Sequence, residues 1–140
     1  YGPNYELDDK HFIFDLIRKI HTAKNGGEKV VLWGDGTQTR ELIYIDNAVD
    51  IIMACVNNPE APEIFNLSSG NENTLEEYAR TICDIIGYDY NKIEWDTNAF
   101  VGAPNKKLVN THLQGYPFTP LRQGLENTIE YYESRSSSSK

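Results

Sequence analysis

The residues with the most chemical promise form one run, Trp33-Gly34-Asp35-Gly36-Thr37-Gln38-Thr39-Arg40-Glu41-Leu42-Ile43-Tyr44-Ile45-Asp46. An arginine stands at the mouth of an apolar strand, and a tryptophan stands seven residues earlier, across a glycine-rich turn. A guanidinium fork matches two phosphate oxygens at once, and an indole face suits a sugar or base ring. The same run also reads as a surface hairpin followed by a helix that Asp46 caps, which accounts for the glycines without any ligand. On the residues alone both readings stand.

Other reactive side chains offer less. His11, His21 and His112 show no metal-ligand spacing with cysteines or carboxylates. Cys55 and Cys83 are too few for a disulfide framework, and both fall in helical apolar patterns. They read as small buried hydrophobes of a reducing compartment, which places the protein in the cytoplasm. Tyr88-x-x-x-Lys92 has the spacing of a catalytic Tyr–Lys pair, but that pair needs a helix to bring both side chains to one face. Here Tyr88 follows the helix-ending Gly87 and Lys92 opens an expected strand, so the match is a decoy.

The elements that must position these residues follow from periodicity and turn chemistry. Ile13, Leu16, Ile17 and Ile20 recur at three and four, which predicts a helix from His11 to Lys24 that ends at Asn25-Gly26-Gly27. Lys29 to Trp33 and Arg40 to Ile45 read as strands joined by the Gly34-Asp35-Gly36 turn, and a helix runs from Asp46 to about Val56. Ile64 to Leu67 reads as a strand. Thr74 and Glu77 make a capping box for a helix with Leu75, Tyr78, Ala79, Ile82, Ile85 and Ile86 inward. Lys92 to Trp95 reads as a strand, Thr97 to Lys107 as a polar loop and Asn110 to Leu113 as a short turn. Thr119-Pro120 starts a last helix that uses Leu121, Leu125, Ile129 and Tyr132. The order is that of a small α/β domain over residues 1–134, followed by a disordered Ser-rich tail over 135–140.

Composition narrows the partners. The 140 residues suit one domain, and 39% hydrophobic content permits a core. A net charge of −8 argues against nucleic acid and membrane surfaces, yet leaves room for a local cationic pocket. No apolar run reaches the roughly 18 residues of a membrane span, and no signal peptide is visible. The sequence opens at Tyr1 without Met, which reads as an edge inside a longer protein.

Three motifs in order carry a resemblance: Tyr1-Gly2-Pro3, the Trp-Gly-x-Gly-x-x-x-Arg stretch with its Tyr-Ile-Asp, and Phe65-Asn66-Leu67-Ser68-Ser69-Gly70. The chain resembles the C-terminal, substrate-binding part of the extended short-chain dehydrogenases/reductases, the NAD-dependent epimerase/dehydratase family. Within it, His11, the helix with Arg18-Lys19, and Phe118-Thr119-Pro120-Leu121 point to the GDP-L-fucose synthase branch. The resemblance implies that Arg40 grips a substrate diphosphate, that Trp33 packs on the nucleotide-sugar, and that Lys19 and Lys106 add positive charge. It implies that His11 lies near an NADP cofactor bound mainly by an N-terminal domain, and that the full protein forms a homodimer. For Lys19 and Lys106 a solvated surface, and for His11 a local helix-start hydrogen bond, remain the alternatives. Val101 stands where that branch carries an Asp, which keeps UDP- and dTDP-sugar epimerases and dehydratases in play; a non-catalytic binding module is the reading from another class. No Gly-x-Gly-x-x-Gly follows a strand, so no dinucleotide cradle is expected in this chain and catalysis by it alone is not expected.

Overall fold

A short helix is stable in water only if an apolar stripe is buried against something else. In the computed structural model, which describes residues 1–7, 10–109 and 112–137, three such stripes converge. Helix α1 (Phe12–Lys24) buries Ile13, Leu16, Ile17 and Ile20, the four residues whose spacing predicts it. Helix α3 (Leu75–Ile86) buries Tyr78, Ala79, Ile82, Cys83 and Ile86. Helix α4 (Leu121–Ser137) contributes Leu125, Ile129 and Tyr132. Helix α3 packs on both of the others, and His21 of α1 meets Tyr132 of α4 edge to face at 5.1 Å. Val30 and Ile93 complete the core from beneath.

The strands are short. Strand β1 (Val31–Trp33) pairs in parallel with β4 (Glu94–Asp96). A second sheet has the order β3-β2-β5, from β3 (Glu72–Thr74), β2 (Thr39–Glu41) and β5 (Asn105–Lys106). Strands β2 and β3 run antiparallel, and β2 and β5 run parallel. Helix α2 (Ile45–Val56) buries Asn47, Ala48 and Ile51. It leaves Val49, Ile52, Met53 and Val56 about half exposed or more, in one stripe.

The head of α3 is closed on all sides. Thr74 Oγ1 accepts from Glu77 N at 3.1 Å, and the Glu77 carboxylate accepts from Thr74 N at 2.7 Å, the expected capping box. Two further helix-start amides find acceptors in the glycine turn: Leu75 N donates to Gln38 O at 2.9 Å and Glu76 N to Gly36 O at 3.1 Å. Gly87 ends the helix in a left-handed conformation.

Several expectations are corrected. Strands β1 and β2 belong to different sheets, so the glycine turn is no hairpin; its carbonyls are spent on α3 instead of on a facing strand. Helix α2 starts at Ile45 with Tyr44 as N-cap, and no side chain caps it. Asp46 sits inside the first turn, where its charge complements the helix dipole. Residues 64–67 are irregular, and among the described residues they pair with no strand. Lys92 ends a 3-10 turn over Tyr90–Lys92 and does not open β4. A short strand, β5, lies inside the segment read as a polar loop. Helix α4 continues to Ser137, past the start of the expected tail; the rest of that tail, and Asn110 and Thr111 of the expected short turn, lie outside the described residues.

Removing a core side chain or a cap should cost what its surroundings dictate. Ile82→Ala, at a site with no exposure, is expected to lower unfolding free energy by about 2–5 kcal/mol. Thr74→Ala should cost about 1 kcal/mol. Urea unfolding of the two variants beside the parent chain measures both.

Candidate functional site

Strand β2 is the centre of the site. In register, Arg40 stands between Asn73 of β3 and Lys106 of β5. Directly paired residues of adjacent strands project on the same face of a sheet, so Asn73, Arg40 and Lys106 form one row. The next residue along, Glu41, projects to the other face, opposite Glu72. Tyr78 of α3 donates its hydroxyl to Arg40 O at 2.9 Å, which ties the strand to the buried helix. Burial, with the charges near it, pushes that phenol well above its ordinary range, so it stays a neutral donor.

The Arg40 guanidinium is already oriented. Its Nη1 donates to Thr39 O at 2.7 Å, to Ala103 O at 3.0 Å and, more weakly, to Pro104 O at 3.5 Å. Among the described residues these are all of its hydrogen bonds, and each leaves from the same nitrogen. The remaining donors of the fork could therefore take an anion without breaking the bonds that hold the side chain.

Trp33 ends β1 and is 63% exposed. Its neighbour Gly34 lies against Val101, in the segment 101–104 whose carbonyls hold Arg40. Val101 and Gln38 lie against Gly34, so closely that a Cβ there would sit 2.7 Å from Val101 Cγ1 and 2.2 Å from Gln38 Nε2. Gly34 also needs its φ of +87, which side-chain-bearing residues rarely adopt. Asp35 finishes the turn by accepting from Thr37 N at 3.0 Å and Thr37 Oγ1 at 2.6 Å. The glycine turn and Arg40 thus both touch one short segment, 101–104.

The other candidate residues lie farther out. Lys19 pairs with Asp15 at 2.8 Å, and Arg18 pairs with the same carboxylate. Burial alone would raise Asp15, but the bonds from Lys19 and Arg18 outweigh it and hold its carboxyl below the usual range. Lys19 lines a hollow with Arg18, Thr22, Glu28, Lys29 and Val31. Val31 is two residues from Trp33, on the same face of β1. Lys19 therefore approaches the tryptophan side, while Lys106 approaches the arginine side, and the structure does not bring Lys19 beside Arg40. His11 is the exposed N-cap of α1, and its side chain makes no capping bond. Tyr88 and Lys92 share no helix, consistent with their reading as a decoy. Among the described residues no group of histidines, cysteines and carboxylates could hold a metal ion, and no helix is long and apolar enough to cross a membrane.

One participant escapes the sequence reading. Glu41 Oε1 accepts from Ser68 Oγ at 2.5 Å, Gly70 N at 2.8 Å and Ser69 Oγ at 3.2 Å, and Oε2 accepts from Leu108 N at 3.4 Å. Burial alone would raise this carboxyl; the hydrogen bonds outweigh it and hold it below the ordinary carboxylate range. The available signal was an acid placed directly after Arg40 in a strand of otherwise apolar residues.

An α/β layer of this kind, with an arginine-bearing strand beside a glycine turn, matches a part of solved extended short-chain dehydrogenases/reductases. It superposes on a GDP-L-fucose synthetase from Naegleria fowleri bound to NADP with a TM-score of 0.82 at 22% identity, over 99% of this chain and 45% of that one. On UDP-glucose 4-epimerase from Thermotoga maritima the TM-score is 0.80 at 21% identity, over 97% and 44%. The model of the NAD dependent epimerase/dehydratase family matches residues 1–68. GDP-L-fucose synthase 1 of Arabidopsis thaliana is 33% identical over 94% of this chain and 42% of its own length. GDP-L-colitose synthase of Yersinia pseudotuberculosis is 32% identical over 94% and 45%. The chain belongs to the NAD dependent epimerase/dehydratase family, and it spans less than half the length of the curated relatives it matches.

The glycine turn gives a direct check of this geometry. Gly34→Ala is expected to lower stability by roughly 1–3 kcal/mol, from its positive φ and the contacts a Cβ would make. Gly102→Ala, where a Cβ meets nothing within 4 Å, should stay within about 0.5 kcal/mol of the parent. Thermal unfolding of both variants distinguishes a packed turn from a loose one.

Proposed function

We propose that residues 1–134 are the substrate-binding part of a nucleotide-sugar epimerase/reductase of the GDP-L-fucose synthase kind, one that converts a GDP-4-keto-6-deoxymannose to GDP-fucose. The observation that carries this reading is the row of Arg40 and Lys106 on adjacent strands, with one nitrogen of the guanidinium already anchored. Two cations on one sheet face suit a diphosphate, whose charge is spread over oxygens that a fork can engage in pairs. Trp33 packs on the nucleotide-sugar, and Lys19 adds charge from the α1 side. The identity to fucose and colitose synthases of about a third supports a GDP-sugar.

In this reading the family's nicotinamide cofactor is not cradled by the described residues. Gly34-Asp35-Gly36 leads into β2, whereas a dinucleotide pyrophosphate needs a glycine turn that opens a helix. The cofactor, NADP in this reading, belongs to the remainder of a longer parent, with His11 facing it from the head of α1. Carbons beside the substrate ketone are acidified, so epimerisation needs acid/base groups; those groups also belong to the remainder, and the chain alone is inactive. The exposed α2 stripe of Val49, Ile52, Met53 and Val56 fits this division, since a large apolar face marks a surface that another part covers. The parent acts in the cytoplasm, as a homodimer.

A second reading is part of a UDP- or dTDP-sugar epimerase or dehydratase. Val101, in the loop against Gly34, favours it over a branch that carries an acid there. The near-equal likeness to a UDP-glucose 4-epimerase is compatible with both.

Calorimetric titration of the chain with GDP, UDP, dTDP and GDP-mannose separates these readings. Weak binding that prefers GDP and is lost in Arg40→Ala is expected. A UDP or dTDP preference moves the assignment to the second branch. A folded chain that binds none of them at millimolar concentration refutes the diphosphate site and leaves Arg40 as a loop anchor.

A further inference from the structure

Lys106 can stand beside Arg40 only if β5, two residues long, stays paired with β2. A strand that short forms few ladder bonds, and the segment around it is otherwise exposed. Something besides the ladder must hold it. Upstream of β5, Thr39 N donates to Pro104 O at 2.8 Å, and Arg40 itself reaches Ala103 O. Downstream, Asn66 Nδ2 donates to Val109 O, Ser68 Oγ to Leu108 O, and Lys107 pairs with Glu72. Glu41 joins these contacts, since its Oε2 receives Leu108 N at 3.4 Å while its Oε1 receives Ser68, Ser69 and Gly70.

We propose that Glu41 is the positioning residue of the anion site: its carboxylate clamps the 68–70 turn and the exit of β5 to β2, and so keeps Lys106 in register with Arg40. This rests on the diphosphate reading given above. The chemistry requires a carboxylate. Two backbone N–H groups, from Gly70 and Leu108, point at its two different oxygens, and neither can turn into an acceptor. A neutral amide of the same shape must present its NH2 to one of them, whichever way it is turned. The serine hydroxyls can rotate to adapt, but the backbone amides cannot.

The charges around Glu41 favour this role over a ligand-binding one. Glu72 stands opposite it across the β2–β3 ladder, and Lys107 is paired to Glu72 at 3.2 Å. Of the two acids on this face, Glu72 is thus paired with a cation, while Glu41 is held by neutral donors. In register, Arg40 and Lys106 share the other face, and Lys106, on the edge strand, also borders the hollow beside Glu41.

The test uses Glu41→Gln, Lys106→Ala and the double variant, with GDP and inorganic pyrophosphate as probes and amide hydrogen exchange as a ligand-free readout. In Glu41→Gln the amides of Thr39 and Leu108 should exchange at least about tenfold faster, with the α3 core amides unchanged, for a lost charge-assisted bond. Probe affinity should fall about tenfold in Glu41→Gln and in Lys106→Ala. The double variant should bind no more weakly than Lys106→Ala alone, because Glu41 acts through Lys106. Unchanged exchange overturns the proposal whatever the ligand result, and so do losses that multiply in the double variant. If Glu41→Gln does not fold, Ser69→Ala, which removes one bond to the same carboxylate, should speed the same amides and lower affinity to a smaller extent; no change in either overturns the proposal. Faster exchange in Glu41→Gln, together with a parent chain that binds neither probe, refutes the diphosphate reading itself, and that outcome is distinct from a failure of the clamp.

Discussion

The structure depends on how the N-terminus of α3 is satisfied. A helix start exposes amides that have no partner within the helix, and here that start lies beside a sheet, where leaving them unmet would be costly. Thr74 and Glu77 close one part of the problem locally. The rest is met by carbonyls of Gly36 and Gln38 from a distant turn. This fixes the course of the chain between β1 and β2, and prevents the two strands from forming a hairpin. Tyr78, one turn into the same helix, then holds β2 by the carbonyl of Arg40. The buried helix, the glycine turn and the arginine strand form one connected unit.

From that unit the site follows with few additional parts. Strand β2 presents Arg40 to one side and Glu41 to the other because side chains alternate along a strand. The acidic face is internally bonded to a serine-glycine turn and to the exit of β5. The basic face gathers two cations from strands far apart in sequence. A chain of net charge −8 thereby offers a positive row at one place, which is the pattern expected of a specific anion site and not of a general polyanion binder.

The legibility of these features tracks the range of the interaction behind them. Helices α1, α3 and α4 were readable because period, capping box and glycine stop are written within a dozen or so neighbouring residues. Arg40 and Trp33 stood out because their residue types are unusual at a strand end and across a glycine turn. Strand pairing was not readable. Segments of two or three residues carry no periodicity, so the register of β2 with β3 and β5 had no local trace. The same limit explains the hairpin that did not form and the strand expected at Ile64 to Leu67, where side chains bond outward instead, Asn66 to Val109 O and the adjoining Ser68 to Glu41. Glu41 was overlooked because its partners lie 27 to 67 positions away.

The central claim is that the Arg40 face of β2 receives the diphosphate of a sugar nucleotide. A crystal structure of the chain grown with a saturating GDP-sugar tests it most directly. The account predicts phosphate oxygens within hydrogen-bonding distance of the outer nitrogens of Arg40 and of Lys106 Nζ, with Arg40 Nη1 still bonded to Ala103 O. A well-defined ligand bound elsewhere, with the Arg40–Lys106 row untouched, would contradict it.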